Sequence, residues 1–169
     1  MKIKNIIIIS LILFTSVYAN GQIGAATKEC TSCFNTITTG SYASTLGVQT
    51  KAIGNYSFAG GYLSEAQRDV SFAFGNSAIA GAEASFAVGN ETVAVGSASF
   101  ASGSETIAKG LASFASGNLT SALGNYSASF GWKTKANGNA SFASGYLSEA
   151  TGQYSVAMGL IPIEHQNAR

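Results

Sequence analysis

Charge is what this chain has least of. Of its 169 residues only 17 are charged, 9 basic and 8 acidic, against about a quarter of a typical globular chain. Removal of a leader holding Lys2 and Lys4 leaves seven basic and eight acidic side chains, a net charge of −1. A nucleic-acid partner is excluded on that ground, because phosphates demand clustered Lys and Arg. Asp69 is the one aspartate and His165 the one histidine, which leaves little for Ser-His-Asp chemistry or a histidine-rich metal site. The sequence therefore points to no enzyme, no metal and no cofactor. Calcium-binding solenoid repeats need an Asp in every repeat, and a single Asp excludes them. Proline is confined to Pro162. Gly, Ala and Ser make up the difference.

The first residues read as an address. Lys2 and Lys4 precede an apolar run, Ile6 to Phe14, and Val17-Tyr18-Ala19 follows. A charged start, a short apolar core and a small-x-small end are the parts of a secretory signal peptide, 1–19, cleaved after Ala19. The run falls short of the roughly 20 residues that span a bilayer, and no later stretch predicts a membrane helix. The chain is expected to be exported, to the cell surface or outer membrane in an anchored form and otherwise secreted. Residues 20–41 form a lead-in with the only cysteines, Cys30 and Cys33. In an exported chain their expected fate is a disulfide, local or between chains.

Beyond the lead-in one period rules. Cut every fourteen residues from Ala43, the chain gives eight full units and part of a ninth: Ser-Phe-Ala-x-Gly-x-x-Ser/Thr-x-Ala-x-Gly-x-x. The fifth position is glycine in all nine units: Gly47, Gly61, Gly75, Gly89, Gly103, Gly117, Gly131, Gly145 and Gly159. The tenth is alanine in all eight: Ala52, Ala66, Ala80, Ala94, Ala108, Ala122, Ala136 and Ala150. Within a unit the alternation has period two, as strands require. Positions one, three and five share one face; eight, ten and twelve share another. Two short strands per fourteen residues predict an all-β fold, a parallel β-roll (β-solenoid) of about nine coils over residues 42–160, with a tail at 161–169. A meander sandwich would tolerate uneven loops, and the strict spacing argues against it.

The tiny residues are the expected inside, with both repeat columns named above as roll-core positions. Such a core buries little apolar surface and cannot stabilise a lone chain well. The second position supplies what is missing: Phe58, Phe72, Phe86, Phe100, Phe114 and Phe142 form a ladder on one outer face. Phe130, at position four, stands in where position two is Ala128. An aromatic face of that length is too large to leave wet. At about 1.5–3 kcal/mol for each buried ring, six would contribute on the order of 10–18 kcal/mol per chain. The Phe ladder is thus the expected interface of an obligate oligomer. On the second strand the outward residues are mixed, Lys51, Glu65, Gln67, Lys109, Lys135 and Glu149 beside Ile79, Val93, Val95 and Ile107, a face closer to ordinary solvated surface.

This pattern resembles the head repeats of trimeric autotransporter adhesins, the YadA-like head, whose motif runs approximately Asn-Ser-Val-Ala-Ile-Gly-x-x-Ser-x-Ala-x-Gly. Tyr154-Ser155-Val156-Ala157-Met158-Gly159 is similar to its first half, and Gly145-Tyr146-Leu147-Ser148-Glu149-Ala150-Thr151-Gly152 to its second. The resemblance implies left-handed coils, a homotrimer, and an adhesin head at a bacterial surface that attaches to extracellular matrix protein, glycan, host cells or other surfaces. It maps no ligand-binding residue. A purely structural trimeric spike or fibre module is the alternative with the same fold. Ice-binding solenoids display outward Thr ladders, whereas Thr92, Thr106, Thr120 and Thr134 share the parity of the inward alanines. Trp132 with Lys133 and Lys135 is an exposed cationic-aromatic cluster, a solvated corner or a glycan or matrix contact.

Overall fold

The computed structural model describes residues 33–159. The expected signal peptide, Cys30 and the tail 161–169 lie outside them. The described chain is all β and winds as a parallel solenoid. Long and short strands alternate, from Cys33–Phe34 and Ile37–Thr38 to Glu149–Ala150 and Val156–Met158. Every long strand joins one ten-stranded sheet and every short one a nine-stranded sheet. Partners are always fourteen residues apart, as in Phe100↔Phe114, Ala101↔Ala115 and Gly103↔Gly117. At about 4.8 Å per strand the rod is roughly 43 Å long.

One coil shows how the sequence builds all of them. Phe100–Ser104 is the long strand. Glu105, at φ +52, turns the first corner and Ala112, at φ +49, turns the second. Left-handed backbone is costly for residues with a Cβ, yet it recurs at positions seven and fourteen throughout. The corners are tied to their neighbours: Glu105 N donates to the Asn90 carbonyl at 2.8 Å and Ala112 N to Ser97 at 2.9 Å. Between corners, Phe100 N donates to Ser113, Ile107 N to Thr120 and Lys109 N to Ala122, each at 2.9 Å. The ladder runs around the whole circumference, so each unfavourable φ is offset by bonds above and below. Asn or Asp at position thirteen adds a side-chain rung, as where Asn125 Oδ1 accepts from Leu111 N and Asn139 Oδ1 from Asn125 N.

The interior holds the smallest side chains. Alanines at positions three and ten are fully buried from Ala52 to Ala143, and the largest fully buried side chains are threonines such as Thr92, Thr106, Thr120 and Thr134. The inward parity of those threonines holds, so they form no outward ladder. Serines at position one close the second corner: Ser57, Ser85 and Ser127 each donate to the carbonyl three residues earlier at 2.6 Å. Ser71 does the same to Arg68, so the coil survives where Arg68 replaces the twelfth-position glycine.

Two features depart from the sequence reading. The fifth-position glycines do not line the interior; they are half-buried or exposed. Their column is fixed by backbone instead. Gly103 sits at φ +115, and a Cβ there would lie 1.9 Å from the Gly117 carbonyl oxygen of the next coil. The coil pattern also starts earlier than residue 42. Cys33 pairs with Gly47 and Ile37 with Lys51, and Thr36 and Thr38 are buried. Cys33 in the glycine column and Thr38 in the alanine column hide this first coil from a motif search.

Candidate interaction surfaces

The long-strand sheet carries the aromatic ladder outward. Phe58, Phe72, Phe86, Phe100 and Phe114 stack face to face, with successive centroids 4.9, 4.6, 5.0 and 4.5 Å apart. At Ala128 the column would have a hole. Phe130 fills it from two positions along, 5.1 Å from Phe114 and 5.7 Å from Phe142. Phe74 leans over Gly60 in the same manner, 6.5 Å from Phe58. A Cβ on Gly60 would come within 2.6 Å of the Phe74 ring, so glycine at position four makes room for the larger neighbour. All seven ladder rings are half-buried in the single chain, because each ring face is covered by the next. What is left for a partner is the outer rim of the stack. Completing its burial is worth about half the full transfer, roughly 5–10 kcal/mol for seven rings, less than full exposure in the monomer would give.

The short-strand sheet is more apolar than its charged residues suggest. Ile107, Val95 and Leu123 stand about two-fifths exposed, and Ile79 and Val93 pair in register beside Ile107. On one side of this patch Lys51 and Glu65 form an ion pair, Nζ to Oε1 2.6 Å. The hydrogen bond from Lys51, with a second from Gln67, holds the Glu65 carboxyl below the usual carboxylate range. On the other side Lys135 pairs in register with Glu149, which accepts a hydrogen bond from Asn137 Nδ2 at 2.9 Å.

The corners collect the remaining large residues. Tyr42 and Tyr56 stack at 5.2 Å, and Trp132 and Tyr146 at 4.5 Å. Lys133 Nζ lies 4.3 Å from the centre of the Trp132 ring, a cation–π contact. The cationic-aromatic cluster expected from sequence is therefore real, but its cation covers a face of its own tryptophan. Lys135 points instead into a shallow groove with Leu119, Lys133, Leu147 and Glu149. Sequence reading had no signal for that groove, since its residues come from three successive coils. Cys33 lies in the first strand of the ten-stranded sheet. Among the described residues no three His, Cys, Asp or Glu side chains are placed to hold a metal ion. No helix among them is long and apolar enough to cross a membrane.

A family model for the YadA head domain repeat matches the chain in two copies, over residues 71–92 and 136–160. Both matches fall on coils described above, and the unmatched coils between them keep the same register without a break. No curated protein matches the chain.

Proposed function

We propose that this chain, whose solenoid is a YadA-like head, works as the head of a homotrimeric bacterial surface adhesin. Three copies pack on their phenylalanine ladders, and the short-strand sheets and corners face outward to attach to extracellular matrix protein, host cells or other surfaces. Export and display follow from that role, with residues 1–19 as the leader. The observation that carries the reading is the pairing of head-repeat matches with a continuous column of seven phenylalanines on one face, stacked from Phe58 to Phe130 and tilted at Phe142. An alanine and threonine interior does not by itself explain a stable rod, and a shared aromatic rim supplies the missing burial. Outward, the rod repeats similar surface every 14 residues, which suits many weak contacts acting together.

The test is attachment. The purified chain is offered to immobilised matrix proteins, mucin and whole cells, beside an unrelated trimer of similar charge. Binding above that control supports the adhesin. Equal binding on every surface overturns it in favour of a structural spike or fibre module.

A further inference from the structure

Two lysines at corresponding places in the coil differ in their electrostatic surroundings. Lys51 and Glu65 pair in register on neighbouring strands, and so do Lys135 and Glu149. Lys51 Nζ lies 2.6 Å from Glu65 Oε1 and is neutralised there. Among the described residues Lys135 has no ion pair; the Glu149 carboxylate accepts from Asn137 Nδ2 at 2.9 Å instead. At the position of Asn137 the earlier coil has Ile53, whose side chain has no N–H to offer a carboxylate. Lys51 is thus closed to a further anion, and Lys135 is open.

Lys135 lines the groove with Leu119, Lys133, Leu147 and Glu149. Leu119, Lys133 and Leu147 sit at the same corner of three successive coils, so the leucine backbones stand roughly 10 Å apart with the lysine between them. That backbone is held in the ladder: Lys133 N donates to the Asn118 carbonyl at 2.9 Å and Leu147 N to the Trp132 carbonyl at 3.0 Å. The Lys133 ammonium lies over the Trp132 ring and, among the described residues, pairs with no carboxylate. The wider field has the same sign. Residues 107–159 hold three basic and one acidic side chain, whereas residues 33–106 hold two basic and five acidic. The groove therefore lies on the basic end of a rod whose other end is acidic.

We propose that this groove binds an acidic peptide segment of the surface to which the head attaches, one with an aliphatic side chain beside its carboxylate. The inference rests on the adhesin reading and names the chemistry of its partner. The carboxylate is received between Lys133 and Lys135, whose ammonium groups donate charge-assisted hydrogen bonds. The aliphatic neighbour covers Leu119 or Leu147. An acidic polysaccharide would meet the same lysines, but it would press hydroxyls against two leucines that offer them no hydrogen bond. The peptide satisfies both halves of the groove.

The experiment uses the full chain and a capped Leu-Glu-Glu-Leu-Glu-Glu peptide, with its glutamine counterpart, hyaluronate and phosphatidylglycerol vesicles as comparison probes. The expected result is binding of the glutamate peptide in preference to all three, weakening as salt is added. Lys135→Ala should weaken it about tenfold, the loss of one charge-assisted hydrogen bond, and Lys135→Arg should restore most of that. Lys51→Ala makes the same change in net charge at the paired lysine and should leave binding unchanged. Asn137→Ile alters no charge, yet frees Glu149 to pair with Lys135 and should weaken binding as well. Equal losses in Lys51→Ala and Lys135→Ala would overturn the proposal, since net charge alone would then govern binding. Tighter binding of hyaluronate or vesicles than of the peptide would overturn it too, as would a Lys135→Ala chain that loses its oligomeric mass. Attachment to matrix or cells at parental strength in Lys135→Ala removes the groove and leaves the adhesin reading standing. Peptide binding by a parent chain that attaches to no surface overturns that reading instead.

Discussion

Replacing Gly103 by alanine tests whether the fifth-position glycines are set by coil stacking. The residue sits at φ +115, and its Cβ would lie 1.9 Å from the Gly117 carbonyl oxygen and 2.9 Å from the carbonyl carbon. Backbone held in so sparsely populated a region costs on the order of 1–3 kcal/mol for a residue with a Cβ. The obstacle is main chain in a continuous ladder, so no side-chain rotation relieves it, and overpacking adds about 1–3 kcal/mol. The sum, roughly 2–6 kcal/mol per chain, is a large share of the 5–15 kcal/mol that usually separates folded from unfolded. Gly152→Ala is the control. It has no positive φ, and its Cβ would meet nothing nearer than Ser155 Cβ at 3.6 Å. Alanine there should be neutral or stabilise by about 0.4–1 kcal/mol through the unfolded chain. Urea unfolding followed by circular dichroism compares the two midpoints. If Gly103→Ala unfolds within about 0.5 kcal/mol of Gly152→Ala, within the range of ordinary surface changes, the stacking argument is wrong.

Other substitutions probe other columns. Thr106 Oγ1 is buried without a hydrogen-bond partner, so Thr106→Val, which keeps the shape and removes the hydroxyl, should stabilise by about 1 kcal/mol; a lower melting temperature would contradict this. Phe130→Ser alone should destabilise by about 1–3 kcal/mol, through two lost ring contacts at about 0.5–1.5 kcal/mol each. Adding Ala128→Phe returns that coil to the usual pattern and should recover most of the loss, and a double-mutant cycle with no coupling would refute the hole-filling account. Val70 holds φ +59, a poor conformation for a β-branched side chain. Val70→Asn should therefore raise the unfolding free energy by about 0.5–1 kcal/mol, part of the 1–2 kcal/mol left-handed cost, and a fall would show that the Val70 side chain is itself in demand.

Much of this architecture was written in the spacing. Nine glycines and eight alanines in fixed columns required a coil of fourteen residues, and period-two alternation placed Thr92, Thr106 and Thr120 inside, where they are. The aromatic column and its repair by Phe130 were legible too, because Ala128 and Phe130 exchange sizes within one strand. Where the reading failed, alternation alone was not enough information. Gly103 has the parity of an inward residue, but its positive φ turns the backbone just before the corner, and no sequence rule assigns that φ to a strand position. The first coil went unseen because Cys33 and Thr38 occupy columns that elsewhere hold only Gly and Ala. The groove at Leu119, Lys133 and Leu147 gathers residues fourteen apart, a neighbourhood visible only once the coils are stacked.

The mass of the folded chain in solution tests the central claim most directly. Light scattering at micromolar concentration, on the parent chain, Phe100→Asp and Lys109→Asp, is the measurement. Phe100 lies mid-ladder, 5.0 Å from Phe86 and 4.5 Å from Phe114. A carboxylate there would lose hydration against its own copies at a cost of several kcal/mol each. Lys109 is exposed just past the short strand Ile107–Ala108, on the far side of the coil, where substitutions usually stay within about 0.5 kcal/mol. The account predicts three chain masses for the parent and for Lys109→Asp, and dissociation or aggregation for Phe100→Asp. A folded monomer, or a Phe100→Asp trimer as stable as the parent, would contradict it.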